Sequence, residues 1–295
     1  MSVLLFCMLL GVVVAQSGRA PQNLAKQLNW WALYIATPAT VLEIVPRLQL
    51  TSSLWFLAAS MWIIFIAAWM LFHWLATVFG WSRNTLGAII LTAGLGNTAF
   101  VGFPLIEALR GKEALAYAAI ADQIGAFLAI NVGGSVVVAL YAGSQTSTRQ
   151  VVRRVLLFPP FVALIIAFGV SFTSGWPTIV DDLLNRLSAT MAPLVLFSVG
   201  LQLQLQALKH HTAPLLTGLT WKLGLAPLLV LCCGRFLHID SSVLTISVLE
   251  SAMAPMISAA ILAEQHELNP PLANMMVGIG ILLSFITVPL WNALL

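Results

Sequence analysis

The stretch TAGLGNTAFVGFPLIEALRG, residues 92–111, lies inside a chain built almost wholly of apolar runs. Between Gly94 and Pro104 it packs three glycines, an Asn, a Thr and a Pro into eleven residues. An uninterrupted helix crossing lipid disfavours that composition, because each Gly weakens it and Pro removes a backbone donor. The stretch therefore predicts a helix broken near Gly96-Asn97 in the middle of an apolar segment.

The surroundings establish the class. Of 295 residues, 60% are hydrophobic and 8% charged, and the mean hydropathy is +0.98, a balance that soluble domains do not have. Apolar runs of spanning length number about ten: roughly residues 1–15, 28–46, 54–78, 85–109, 114–142, 155–172, 183–205, 214–236, 243–263 and 272–294. The expected fold is an all-α integral membrane protein of about ten transmembrane helices. Residues 1–15 lack a positive n-region and a clean small-x-small site, so a short first helix is expected there rather than a signal peptide. The net charge of +3 and the lack of a basic patch with interleaved aromatics speak against nucleic acid. Cys7, Cys232 and Cys233 form no disulfide framework, and the five histidines have no metal-ligand spacing; His210-His211 reads as loop. No metal and no cofactor is expected.

The longest polar connection, GSQTSTRQVVRR (143–154), lies near the middle of the chain, and the halves on either side echo each other. Segment two, LNWWALYIATPATVLEIV, has Pro38 nine residues after Asn29. Segment seven, LNRLSATMAPLVLFSV, has Pro193 eight residues after Asn185. The break at Gly96-Asn97 is matched by one at Ala254-Pro255 in segment nine, LESAMAPMISAAILAEQ. Pro38 to Asn97 is 59 residues and Pro193 to Pro255 is 62. The reading is a first five-helix repeat over 1–142, a cytoplasmic connecting loop over 143–154, and a second repeat over 155–295. Five helices end on the opposite side from where they start, so the second copy is inverted. Inverted repeats with interrupted helices at corresponding places point to a secondary transporter.

Arg19, Lys26, Arg83, Arg149, Arg153, Arg154 and Lys209 follow odd-numbered segments, against Arg47, Arg110, Lys112, Arg186 and Arg235 after even-numbered ones. This bias puts the central loop in the cytoplasm and both termini outside. Among the other residues, the tryptophans read as an interfacial belt or a helix-facing stripe, as do Trp55, Trp62 and Trp69. Gly133-Gly134 reads as a close helix contact.

A break at Gly96-Asn97 presents backbone N–H groups and a positive dipole end where the next half-helix starts, and carbonyls where the first half ends. The first suits an anion and the second a cation. Gly94, Gly96, Pro104 and Ala254 are the helix-break residues. Asn97, Thr98, Pro255, Ser258 and Lys222 are the substrate-binding candidates. Asn97 can donate to a carboxylate, and Thr98 can cap the new helix start. Lys222 (LTWKLGLAPLL) is a counter-charge for an anion, an ion-pair partner, or a residue snorkelling to the interface. Asp122 and Glu250 are the coupling-ion candidates, for a proton or sodium; Asp122 could equally pair with Lys222, and Glu250 could instead meet the substrate's polar end.

GLGNTAFVGFPL, MAPMISAAILAEQHELNPPLANMM, LLSFITVPL and LYIATPATVL together resemble the auxin efflux carrier family of bacterial and plant transporters, over essentially the whole chain. The resemblance implies ten helices in two inverted five-helix repeats with crossing broken helices, similar to the bile acid:sodium symporters. It implies transport of small organic anions, carboxylates or dicarboxylates such as malate or malonate. The family's crossover Asn falls on Asn97 and its second-repeat crossover Pro on Pro255. Plant members carry Pro just before that Asn, where this chain has Gly96. The expected setting is a lipid bilayer, the bacterial inner membrane, with H+ or Na+ as coupling ion and room for a homodimer. The competing class, a polytopic enzyme acting on a lipid or isoprenoid, needs carboxylate metal motifs or a nucleophile–base set. No DxxxD or HxxxxD pattern occurs. A channel is disfavoured by the inverted repeat and the lack of a charged pore ring.

Overall fold

A computed structural model describes residues 2–18, 20–21, 23–48, 51–143, 147–173, 175–202 and 212–295. Arg19, Lys209, His210 and His211 lie outside the described residues. Regular structure among those described is helical, with no strand. In chain order the α-helices are α1 (Ser2–Gln16), α2 (Leu24–Trp31), α3 (Thr37–Ile44), α4 (Trp55–Phe79), α5 (Arg83–Gly94), α6 (Phe103–Arg110), α7 (Leu115–Ile120), α8 (Ser135–Ala142) and α9 (Thr148–Leu156). They continue as α10 (Pro159–Val170), α11 (Thr178–Ser188), α12 (Met191–Gln202), α13 (Thr212–Thr220), α14 (Ala226–Phe236), α15 (Ser241–Ser251), α16 (Ile257–Gln265) and α17 (Pro270–Leu294). Each of the ten apolar segments holds helix. Among the described residues, five continuous helical stretches are long and apolar enough to cross a membrane: Trp55–Phe79, Lys112–Ala142, Thr178–Gln202, Thr212–Phe236 and Pro270–Leu294. Part of the connection expected as loop over 143–154 is helix, namely α9.

Three prolines inside helical segments share one local solution. Pro38, Pro104 and Pro227 each sit in the first turn of a helix that follows a π-helical turn: Ala32–Ala36, Thr98–Gly102 and Trp221–Leu225 respectively. A proline ring clashes with the carbonyl four residues back and cannot donate to it, and a widened turn accommodates both faults. At Pro38 the helix therefore continues through the proline.

The chain divides into two compact units. The first comprises Met1–Thr51, Ala99–Ala119 and Arg153–Leu203. In it α1 packs along α12, and α3 lies against α10 and α11. Lipid tails are as apolar as the side chains, so helices associate in a membrane by close approach rather than by exclusion from water. The α1–α12 crossing shows it: a Cβ on Gly11 would meet the carbonyl of Phe197, and one on Gly200 the carbonyl of Met8. Polar side chains fasten the unit where the backbone leaves room. Trp31 Nε1 donates to Thr190 Oγ1 at 3.0 Å, Trp176 Nε1 to the Leu42 carbonyl at 2.7 Å, and Ser198 Oγ to Asn29 Oδ1 at 2.7 Å.

The second unit comprises Ser52–Thr98, Ile120–Val152 and Gln204–Leu295. Its axis is α4, which packs on α5, α15 and the π-helical turn Ala121–Ala126. Phe65 and Met61 of α4 fill hollows left by glycines: Phe65 against Gly94 and Gly133, Met61 against Gly125. Gly134 lies against Leu262 and Leu91, so both glycines of the Gly133-Gly134 pair make helix contacts. α4 stops at Gly80, whose φ of +65° is a left-handed conformation that favours glycine.

Candidate functional site

Both predicted breaks are present, and both meeting ends lie in the second unit. α5 ends at Gly94, and helical geometry resumes at Thr98. α15 ends at Ser251, and α16 begins at Ile257. The two interruptions form an antiparallel bridge between Gly96 and Pro255. The Asn97 backbone N–H donates to the Ala254 carbonyl at 2.8 Å, and the Met256 N–H donates to the Leu95 carbonyl at 3.0 Å. Unwound backbone away from water needs partners, and each break supplies them to the other. Pro255 can lie in the bridge without loss, because Gly96 and Pro255 are not the donors. Behind it, Gly280 of α17 leaves the space that the Pro255 ring occupies. Pro104, counted among the break residues, lies beyond the bridge. It opens α6 in the first unit.

Buried polar side chains gather around this bridge. Thr98, 0% exposed, donates from Oγ1 to Asp122 Oδ1 at 2.5 Å, and Gln123 Nε2 donates to Asp122 Oδ2 at 2.5 Å. The Thr98 hydroxyl is thus held by Asp122 rather than turned back as a helix cap. Asp122 sits on the turn Ala121–Ala126, whose π-helical widening aims it at the start of the second half-helix. Asn97, the residue before Thr98, is buried as well, 3% exposed.

Lys222 is 0% exposed and does not snorkel. It rides on the π-helical turn before Pro227, and its ammonium donates to the carbonyl of Ser251, the last residue of α15, at 2.8 Å. A cation at a helix C-terminus is favoured by the dipole and by the unpaired carbonyls. Gly96 stands directly against it: a Cβ there would lie 3.0 Å from Lys222 Nζ and 3.3 Å from the Glu250 carbonyl. The close approach gives a physical reason for glycine at this place, where plant members of the resembled family carry proline.

Glu250 is 0% exposed, and neither carboxylate oxygen has a hydrogen-bond partner among the described residues. The charges of Asp122 and Lys222 both reach it. One turn earlier on the same helix face, the Ser247 hydroxyl is buried and likewise without a partner. Ser258 stands apart from this group, exposed on the first turn of α16.

The structure therefore brings Asn97, Thr98, Asp122, Lys222, Glu250, Ala254 and Pro255 into one unit around one bridge, and leaves Ser258 apart from them. Sequence reasoning missed Ser247, Ser251 and Gln123. The spacing Ser247–Glu250–Ser251 (i, i+3, i+4) was the available signal. It also missed a polar cluster in the first unit. There Lys112 Nζ donates to Glu43 Oε1 at 2.7 Å and to Asn185 Oδ1 at 2.8 Å, with Glu43 2% exposed. An acid inside the apolar run of segment two was its signal.

The family model described as membrane transport protein matches residues 1–139 and 143–292. The chain belongs to this membrane transport protein family, the auxin efflux carrier family. Among curated relatives, an uncharacterized transporter of Methanocaldococcus jannaschii is 26% identical over 302 aligned positions, covering 99% of this chain and 97% of the relative. An uncharacterized transporter of Methanothermobacter thermautotrophicus is 28% identical over 211, covering 70% and 67% respectively. Membership in the membrane transport protein family makes this chain a multi-pass membrane transporter rather than an enzyme, and the buried ionisable groups of the second unit are read in that light.

Proposed function

We propose that the chain is a secondary active transporter moving small organic anions, carboxylates or dicarboxylates of the malate or malonate kind, by alternating access. The observation that supports this reading most directly is the Gly96–Pro255 bridge: two interrupted helices meeting backbone to backbone beside buried Asn97, Thr98, Asp122, Lys222 and Glu250. Half-helix starts at such a place attract an anion, and half-helix ends attract a cation. The anion binds at the starts after Asn97 and Pro255. Asn97 donates to the carboxylate, and Lys222 contributes positive potential. The ten segments form two inverted repeats, 1–142 and 155–295, with residues 143–154 cytoplasmic and both termini outside the bacterial plasma membrane. The part carrying the breaks moves against the rest of the protein during transport, which a proton or sodium gradient drives.

The test is uptake of labelled malate into proteoliposomes, with malonate and an aromatic acid as competitors. pH and sodium gradients are imposed separately, and Asn97→Ala is run in parallel. Uptake that follows one gradient and vanishes in the variant supports the reading. No uptake of any carboxylate under either gradient removes the substrate class.

A further inference from the structure

Three ionisable side chains are buried around the bridge, and the structure provides for two of them. Asp122 has a donor on each oxygen, Thr98 and Gln123. Lys222 has the Ser251 carbonyl. Each of these two groups has hydrogen-bond partners of its own. Glu250 is the third, with no donor on either oxygen among the described residues. A buried carboxylate that no donor hydrogen-bonds is too costly to stay ionised, and it neutralises by taking a proton. Among the described residues, the elements that pack most on α15, namely α4, α14 and α17, offer it no other buried charge. α17 has no ionisable residue, while His73 of α4 and Cys232, Cys233 and Arg235 of α14 are exposed or partly exposed. The groups that face it are Lys222 and Asp122.

The carbonyl end of an interrupted helix is where carriers coordinate a sodium ion. At the end of α15 that position is filled by an ammonium group tethered to the protein, with Gly96 packed against it. We infer that Lys222 is the resident cation of the second break, and that Glu250 is the site that binds the transported proton. The chain is therefore proton-coupled and indifferent to sodium. This rests on the transporter reading above and names its driving ion. In the cycle a proton from one side binds a Glu250 oxygen, the uncharged acid lets an anion approach without repulsion, and both leave on the other side. No covalent bond of the substrate changes.

The experiment has two arms on the full chain. In the first, infrared difference spectra are recorded on protein in lipid, in sodium chloride and in choline chloride. The expected result is a deuterium-sensitive carbonyl band of a protonated carboxylic acid near neutral pH. It is retained in Asp122→Asn, absent in Glu250→Gln, and the same in both salts. A band that survives in Glu250→Gln, or one that sodium removes, overturns the inference. So does a wild-type melting temperature that sodium raises over choline.

In the second arm, proteoliposomes are given an inward proton gradient of one pH unit. Coupling to one proton supports about tenfold accumulation of labelled malate at zero membrane potential. Glu250→Gln is expected to exchange malate across the membrane yet lose that accumulation. Retained pH-driven accumulation overturns the inference. Wild type that moves no carboxylate overturns only the anion reading, and the infrared band then decides on Glu250 alone.

Discussion

Lys222→Met offers a quantitative check on the charge balance at the break. Met keeps an unbranched chain of similar length and removes the ammonium. Two losses follow from the geometry. The charge-assisted bond to the Ser251 carbonyl goes, and Asp122 keeps its two donors but is left in a unit with no other buried Lys or Arg among the described residues. A charged hydrogen bond contributes about 1.5–3 kcal/mol, and breaking a buried charge pair by removing one partner costs about 3–5 kcal/mol. Taking about 3 kcal/mol and about 2 °C per kcal/mol for a chain of this size, the melting temperature should fall by about 6 °C. The assay is the fraction remaining monodisperse on size-exclusion chromatography after heating in detergent. The double variant Asp122→Asn/Lys222→Met removes both buried charges and should recover part of the loss, since no uncompensated charge is then left in the unit. The reasoning is refuted if Lys222→Met melts like wild type, or if the double variant simply adds the two single losses. Unchanged affinity of Lys222→Met for every anion would make the residue structural only.

Asn97→Ala should abolish anion binding while the protein stays folded, read as lost ligand-induced thermal stabilisation with an unchanged apo melting temperature. Gly280→Ala places a methyl group against the Pro255 ring; it should lower transport at least tenfold with normal membrane expression, measured by counterflow in proteoliposomes. Gly200→Ala drives a Cβ into the Met8 carbonyl at the α1–α12 crossing, where backbone rather than a flexible tip must yield. Overpacking of that kind costs about 1–3 kcal/mol, so its melting temperature should fall by about 2–6 °C.

The position of both breaks was legible because glycine, asparagine and proline act locally, through backbone freedom and a missing donor. Pro38 shows the limit of that logic. The same residue type stays within a continuous helical stretch, because the π-helical turn Ala32–Ala36 ahead of it relieves the clash, and no simple pattern announces such a turn. The site's members were legible as rare ionisable residues in apolar runs, which picked out Asp122, Lys222 and Glu250. Their partners were not. Thr98 was expected to cap a helix, and only the approach of the Ala121–Ala126 turn, more than twenty residues on, directs its hydroxyl to Asp122. Ser258 had the right residue type beside the right proline, yet the first turn of α16 leaves it exposed. Glu43 and Lys112 join across 69 residues of chain, a distance that local reading does not cross.

The mutual bridge also bears on what the polar side chains are for. An interrupted helix in an apolar setting leaves backbone donors and acceptors, and polar side chains commonly repair them. Here Asn97 and Met256 donate to Ala254 and Leu95, so the breaks largely repair each other. Lys222 still serves the backbone, by capping α15, and Thr98 and Gln123 serve Asp122. Among the described residues, Glu250 accepts no hydrogen bond, and the Ser247 hydroxyl a turn away has no hydrogen-bond partner either. A glutamine or leucine at position 250 would carry a smaller burial penalty, so stability does not account for the acid. On the proton-coupling proposal its reason lies in another state of the cycle, one in which the carboxylate has exchanged its proton for water or a partner.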